Sequence, residues 1–514
     1  MAEKPRERQT PAASRETTAI GDMAPEEFRY FGRRLVDWTA HYLGSMERYP
    51  VLAKVRPGQI RKRLPPAGPE EPESMEQILA DLESIVVPGI THWNHPGFFS
   101  YFSITGSGPG ILGELLSAAF NVNGMLWKTS PAATELEEAV IDWLRQWLGL
   151  PAEFWGIIYD TASTSTFHAL AAAREAVPGT HCREEGLAGG PRLRLYTSEQ
   201  AHSSVEKAAI ALGVGLRGVR KIPVDDEFRL RPEKLEAAIR EDLAAGRTPF
   251  AVVATVGTTS TTSVDPVPAV ADLCRDYDLW LHVDAAYAGP AAILPEKRWV
   301  LEGCERADSL VTNPHKWLFT PIDASVLFCR RPEVLRQAFS LVPDYLKTDE
   351  AATNFMDYGI QLGRRFRALK LWMVMRYFGR RGVEARLREH LRLAAEFARW
   401  VDEHPDFERL APTPFSTVCF RACPARLRAE SGAAVVPGRA ASRPHPDPGE
   451  RLDGLNEQLL ERVNGTGEVF LSSTRLHGRL VLRLAVGNLK TTEQHVRRAW
   501  ELLCRELHSI LAAP

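Results

Sequence analysis

Leu281–Gly289 reads LHVDAAYAG, and Asn313–Trp317 reads NPHKW. The first stretch is an apolar strand that delivers Asp284 at its carboxyl end. The second follows another apolar run, Ser309–Thr312, and delivers Lys316, 32 residues after Asp284. Open α/β sheets bind their ligands at such strand ends. Outward from this pair, short apolar runs at 155–159, 193–196, 218–221, 250–255, 280–283 and 325–329 alternate with helical periodicity at 133–149, 165–176, 203–212, 232–245 and 265–276. With 309–312 these make seven strands, and the alternation predicts an α/β fold, a mainly parallel sheet covered by helices.

Lys is the side chain able to form a Schiff base, and a nearby carboxylate can hold a pyridine nitrogen protonated, which is the pairing that pyridoxal phosphate enzymes use. Each residue alone has an ordinary reading: a strand-end Asp caps a helix, and a Lys snorkels from a sheet edge. The two at this spacing, with His315 beside Lys316, favour the chemical reading. YDTASTST, Tyr159–Thr166, follows a strand and opens a helix, so the hydroxyls of Thr161, Ser163 and Thr164 and the free N–H groups there suit a phosphate or simply cap the helix. Asp160 is the awkward member, because a carboxylate repels a phosphate dianion. His202 in QAHSSVEKA precedes a helix, and Thr258 and Thr259 in VATVGTTSTTSVDP lie in a turn; neither signal is specific by itself.

Residues 1–20 are polar and predict a mobile tail. From Ala24, Phe28, Phe31, Leu35, Val36, Trp38 and Leu43 recur at helical spacing up to Tyr49–Pro50, and a second helix is expected around Met75–Ile85. This prefix, 21–105, has too little apolar surface for its own core. The large domain is expected over 106–385 and a small α+β domain over 386–514, with a long helix at 379–402, strands near 415–421, 467–472 and 479–485, and a closing helix from Thr492. Pro424–Glu450, rich in Ala, Arg, Pro and Gly, predicts a surface excursion.

The 514 residues are 44% hydrophobic and 25% charged, with 63 basic against 65 acidic side chains, which excludes a disordered or collagenous chain and leaves no electrostatic footprint for nucleic acid. No apolar window is long enough to span a membrane, and MAEKPRERQT lacks the apolar core of a signal peptide. Seven scattered cysteines without metal-ligand spacing read as reduced thiols in a cytoplasm, so no metal site is expected and a small molecule is the expected partner.

Together, HPGFFSYF, SPAATELE, ASTST, QAHSS, GTTSTT, HVDAAYAG, NPHKW, DYLK and LGRRFRALKLW resemble the group II pyridoxal-phosphate-dependent decarboxylases, in their aromatic L-amino acid decarboxylase branch, from about His95 to Trp500. The resemblance implies a fold type I pyridoxal-phosphate transferase fold, a homodimer clasped by the helical prefix, and an amino acid substrate. Lys316 is implied to hold the cofactor as a Schiff base, Asp284 to pair with the ring nitrogen, His202 to stack on the ring, and Ala286 to pack against it. Ala162, Ser163 and Asn313 match phosphate-end positions, with Thr161 beside them as a further expected cofactor contact, Thr259 matches a ring-oxygen contact, His315 lies beside the Lys, and Gly363 leaves room for a large ring. Tyr345, in DYLK, matches a loop residue that protonates the alpha carbon; a Phe there goes with members that make aldehydes. Phe102, Ile104, Thr105 and His202 are the expected substrate contacts, the first three within an aromatic stretch that also holds Trp93, Phe98, Phe99 and Tyr101. Three departures, Ser103-Ile104 in place of Pro-Thr, Met356 in place of Arg and Asp160 in place of Gly, bear on substrate identity more than on reaction type.

The expected activity is decarboxylation of tyrosine, dopa, tryptophan or phenylalanine to the amine. Its rivals are a histidine or acidic amino acid decarboxylase, an aldehyde synthase and a non-catalytic relative; retention of Lys316, Asp284, His202 and Tyr345 argues against the last.

Overall fold

A computed structural model describes residues 21–341, 352–425, 427 and 448–512. Tyr345, the tail and most of the 424–450 excursion lie outside the described residues. The chain forms two compact units. One comprises the described residues up to Arg48 together with Lys54–Ile90; the other comprises Tyr49–Ala53 and the described residues from Thr91 onward. In the first, Pro25–Gly44 is a helix with Pro at its first turn, and Ser74 caps a second, Met75–Asp81, by accepting the Gln77 N–H at 3.2 Å.

The second unit holds a seven-stranded sheet. Its strands are β1 (Trp155–Tyr159), β2 (Leu193–Ser198), β3 (Val219–Ile222), β4 (Thr248–Thr255), β5 (Trp280–Asp284), β6 (Ser309–Thr312) and β7 (Ser325–Cys329), in the order β1-β7-β6-β5-β4-β2-β3. Pairings β2 with β3, β2 with β4, β4 with β5 and β5 with β6 are parallel; β7 is antiparallel to both β1 and β6. Six strands therefore run the same way and β7 alone is reversed, so six carboxyl ends share one edge of the sheet. Both faces are covered. Along β4, Val252 and Ala254 pack with helices Pro131–Leu148, Pro232–Ala244 and Val267–Asp276, whereas Phe250, Ala251 and Val253 pack with Ala162–Glu175 and Ser204–Ala211. Burial on both faces is why these strands read as uninterrupted apolar runs.

Behind the sheet, Arg364 of the LGRRF motif forms a buried ion pair with Glu137 at 2.6 Å. Arg364 also donates to the Ile158 carbonyl at 2.9 Å, and Glu137 accepts the Ile158 N–H at 2.9 Å, so β1 is tied to the helix beneath it.

A smaller antiparallel sheet follows: β8 (Phe407–Arg409), β9 (Thr417–Ala422), β10 (Ser472–Leu476) and β11 (Arg479–Ala485), in the order β10-β11-β9-β8. One face, including Val418, Phe420, Leu482 and Leu484, packs on helices Pro448–Gly465, Glu493–Ala512 and the second half of Arg367–Glu403. The strand expected near 467–472 is displaced. Val469 and Leu471 form a buried connection, and the strand itself is the polar edge segment SSTRL. The long helix starts earlier than expected, at Arg367, and is interrupted at Gly379, whose φ of 62° and ψ of 168° no helix contains. Among the described residues no helix is long and apolar enough to cross a membrane, and no group of three or more His, Cys, Asp or Glu side chains could hold a metal ion.

Candidate active site

Five of the six shared carboxyl ends lead straight into the segments singled out by sequence: β1 into Thr161–Ser163, β2 into His202, β4 into Thr259, β5 into Asp284 and Ala286, and β6 into Asn313–Lys316. Asp284 is buried at the last position of β5, and its Oδ1 accepts the Ala286 N–H at 3.1 Å. The Ala286 carbonyl accepts the Asn313 N–H at 3.1 Å, which joins the ends of β5 and β6. Pro314 then starts the turn that carries Lys316.

The Lys316 ammonium makes no hydrogen bond among the described residues and stands 5.3 Å from the Phe102 ring centre. Burial pulls its pKa below the usual lysine value, and the Asp284 carboxylate opposes that pull. His202 is also held below its ordinary value, first by burial; Asp284 raises it, and Lys316 lowers it further. His202, Asp284 and Lys316 thus act electrostatically on one another. His202 Nδ1 accepts the Ser204 N–H at 3.1 Å and meets the Ser204 hydroxyl at 2.9 Å, so the proton of its neutral ring sits on Nε2.

An aromatic stack backs this cluster. Phe102 lies on Tyr287 with ring centres 3.9 Å apart, and Tyr287 lies on Trp317 at 5.0 Å. Trp317 Nε1 donates to His390 Nδ1 at 3.0 Å, and His390 Nε2 reaches the Asn488 carbonyl at 3.0 Å. Asn488 Nδ2 in turn donates to the carbonyls of Trp93 and His95 at 3.2 and 3.1 Å. Of the expected aromatic lining, Phe98 and Phe99 are fully buried in the core.

At the opposite end, helix Ala162–Glu175 starts after Thr161 without a side-chain cap, leaving the N–H groups of Ala162, Ser163 and Thr164 without hydrogen bonds among the described residues. The Asp160 carboxylate takes the Thr161 N–H at 2.5 Å, which occupies it on its own backbone. Asn313 Oδ1 is buried without a partner, while Asn313 Nδ2 lies 3.3 Å from His315 Nε2. Because His315 Nδ1 accepts the Ala324 N–H at 3.0 Å, Nε2 carries the ring proton and meets another donor. Rotating the Asn313 amide by half a turn pairs Oδ1 with that proton and frees an N–H₂. Burial pushes the His315 pKa down to about 4, so the ring remains neutral.

A lysine without hydrogen bonds facing an aromatic ring, a carboxylate within its electrostatic reach, an uncapped helix start and a spare amide together fit a ring bearing an aldehyde, a basic nitrogen and a phosphate. Other expected residues are less closely joined. Thr259 is exposed, and its carbonyl accepts from Arg483 at 3.0 Å. The Thr105 hydroxyl donates to the Gly487 carbonyl at 3.4 Å. A Cβ on Gly363 would meet only Asn123 Nδ2, at 3.9 Å. Among the described residues no hydrogen bond or ring contact ties Ile104, Ser163 or Gly363 to the Lys316 cluster.

The pyridoxal-dependent decarboxylase conserved domain matches residues 57–423. The chain belongs to the pyridoxal-dependent decarboxylase family. Tyrosine decarboxylase 4 of Petroselinum crispum is 41% identical to it over 94% of this chain and 94% of its own length. Phenylacetaldehyde synthase of Arabidopsis thaliana is 39% identical over 95% and 97%. The crystal structure of Oryza sativa TDC with PLP and tryptamine superimposes with a TM-score of 0.88 at 38% identity, covering 96% of this chain and 99% of that one. The protein is a pyridoxal-phosphate-dependent carboxy-lyase of the aromatic branch of these decarboxylases. Around the site of this decarboxylase, sequence reading passed over Tyr287, although it lies inside HVDAAYAG, and Arg483. The signal for Arg483 was a cation inside the otherwise apolar stretch Leu480–Ala485 of β11.

Proposed function

We propose that this carboxy-lyase converts an aromatic L-amino acid, of the tyrosine, dopa, tryptophan or phenylalanine class, to its amine and carbon dioxide. The mutual electrostatic reach of His202, Asp284 and Lys316 beside Phe102 carries the reading. Lys316 would hold the cofactor covalently, Asp284 would face its ring nitrogen, and His202 would cover the ring with Ala286 on the other side. Thr161, Ala162, Ser163 and Asn313 would receive the phosphate, with His315 setting the Asn313 amide, and Thr259 would meet the ring oxygen. When bound, pyridoxal phosphate supplies an electron sink for the pair released with carbon dioxide.

The chain's own part is orientation and proton handling. Phe102, Ile104 and Thr105 would bound the substrate side chain, an aromatic one stacking on Phe102. Gly363 would leave space for its ring. Tyr345 would deliver the proton from its hydroxyl to the alpha carbon. The exposed apolar face of helix Gly108–Phe120, carrying Leu112, Leu115, Leu116 and Phe120, supports self-association as a homodimer. Six of the seven cysteines are buried and none forms a disulfide among the described residues, which supports a reducing, cytoplasmic compartment.

The likeness to an aldehyde synthase keeps one alternative product in view. Purified protein with added pyridoxal phosphate, offered tyrosine, dopa, tryptophan, phenylalanine, histidine and glutamate, decides between them. The expected result is carbon dioxide with the matching amine from aromatic substrates. Aldehyde with hydrogen peroxide, or turnover confined to histidine or glutamate, would overturn the proposal.

A further inference from the structure

We propose that Arg483 is a positioning residue that fixes, from the small sheet, both the aromatic wall at Phe102 and the turn that carries Thr259. The inference rests on the roles proposed above for those two residues. Along β11, Leu482 and Leu484 face the helices of the small sheet, so the intervening Arg483 projects from the opposite face. There it is buried, and burial draws its pKa below the usual arginine value. Among the described residues it pairs with no carboxylate.

Its donors go instead to neutral acceptors. Nε donates to the Ser260 carbonyl at 2.8 Å, Nη2 to the Thr259 carbonyl at 3.0 Å and Nη1 to the Ser472 hydroxyl at 3.2 Å. A planar fork gripping two successive carbonyls fixes the peptide between them, which a single point charge on a flexible stem would not do. The small sheet holds the same turn twice more: Thr474 Oγ1 meets Ser260 Oγ at 2.9 Å, and Cys419 Sγ donates to the Ser260 carbonyl at 3.3 Å. The turn has no slack on its other side. Gly257 has a φ of 90°, and a Cβ there would stand 2.6 Å from Ala288 Cβ.

The second arm of the clamp runs through Ser472, whose hydroxyl also accepts the Tyr101 N–H at 3.3 Å. Tyr101 has a φ of 52°, a left-handed conformation that a non-glycine residue keeps only where its surroundings impose it. The following residue is Phe102. Its ring centre lies 5.4 Å from the Arg483 guanidinium and 5.3 Å from the Lys316 ammonium, within one aromatic wall. One side chain thus sets two pieces of the site that stand far apart in sequence.

Three variants test this: Arg483→Met, Arg483→Lys and Ser472→Ala, each measured by titrating pyridoxal phosphate into the apoprotein and by kinetics with L-tyrosine and L-tryptophan. Arg483→Met is expected to raise both the pyridoxal phosphate Kd and KM by about tenfold, the scale of small misplacements in a site. Arg483→Lys keeps the charge but loses the fork, and is expected not to rescue. Ser472→Ala releases only the Tyr101 arm, so KM rises while the cofactor Kd stays within about twofold. Rescue by Arg483→Lys would overturn the proposal, as would an Arg483→Met protein with both constants unchanged. Should Arg483→Met not fold, an unchanged KM in Ser472→Ala overturns it. If neither amino acid is turned over, the proposed substrate class fails on its own, and the cofactor titration still decides the Thr259 arm.

Discussion

Four of the six pairings in the seven-stranded sheet are parallel, and all three in the four-stranded sheet are antiparallel. Parallel strands gather their carboxyl ends on one edge, so the large sheet brings Asp284, Asn313, Lys316 and His202 together and starts the turn of Thr259 from the same edge. Antiparallel strands alternate their ends and gather nothing, but one face of the small sheet is free to grip what lies opposite. The large sheet therefore supplies the groups proposed to react, while the small sheet and the segment after it supply Arg483, Ser472, Thr474 and Asn488, which touch backbone and hydroxyls. Reactivity and restraint come from different strand geometries.

The strongest way to break this division is at the large sheet. Lys316→Ala is expected to abolish the borohydride-reducible chromophore and lower amine formation by on the order of a thousandfold or more, read by absorbance and product assay; surviving turnover would remove the chemical role from this edge. Next comes the brace behind the sheet. Glu137→Gln leaves the Arg364 guanidinium buried without its carboxylate, and a loss of about 3–5 kcal/mol in denaturant unfolding is expected, with Glu137→Gln/Arg364→Met recovering part of it. If the single variant is neutral, the pair is not a brace.

A smaller effect is expected from the restraining side. Asn488→Ala strips the donors from the Trp93 and His95 carbonyls at a cost of about 1–3 kcal/mol, visible as a lower unfolding midpoint with the Lys316 chromophore still formed. Loss of the chromophore would merge the two regions functionally.

The last effect concerns pH and is read as a slope. Burial pushes His390 down to about 4 from 6.5, so between those values the unfolded chain binds more protons than the folded one. Its contribution is complete above pH 6.5 and is lost as pH falls toward 4. In His390→Gln the slope of stability against pH over that window is expected to be shallower by about 1.4 kcal/mol per pH unit at most. An unchanged slope would mean that His390 titrates alike in both states.

The same contrast explains what the sequence made legible. Strands β4, β5 and β6 are buried on both faces, so each announces itself as an apolar run, and the motif residues follow directly from their ends. β10 is an edge strand written SSTRL, and an apolar-run criterion selects the buried connection before it. Arg483 had no local signal linking it to Thr259, because 224 residues separate the two and only the tertiary fold brings them together. The Asn313 and His315 pairing was likewise invisible, since which nitrogen carries a proton depends on the Ala324 amide.

Because five strand ends each deliver their residues on a separate loop, the site is modular. A substitution in one loop leaves the remaining loops and the sheet beneath them in register. Such a layout lets one loop change while the others keep their places, and this chain is similar at nearly equal identity to both a decarboxylase and an aldehyde synthase.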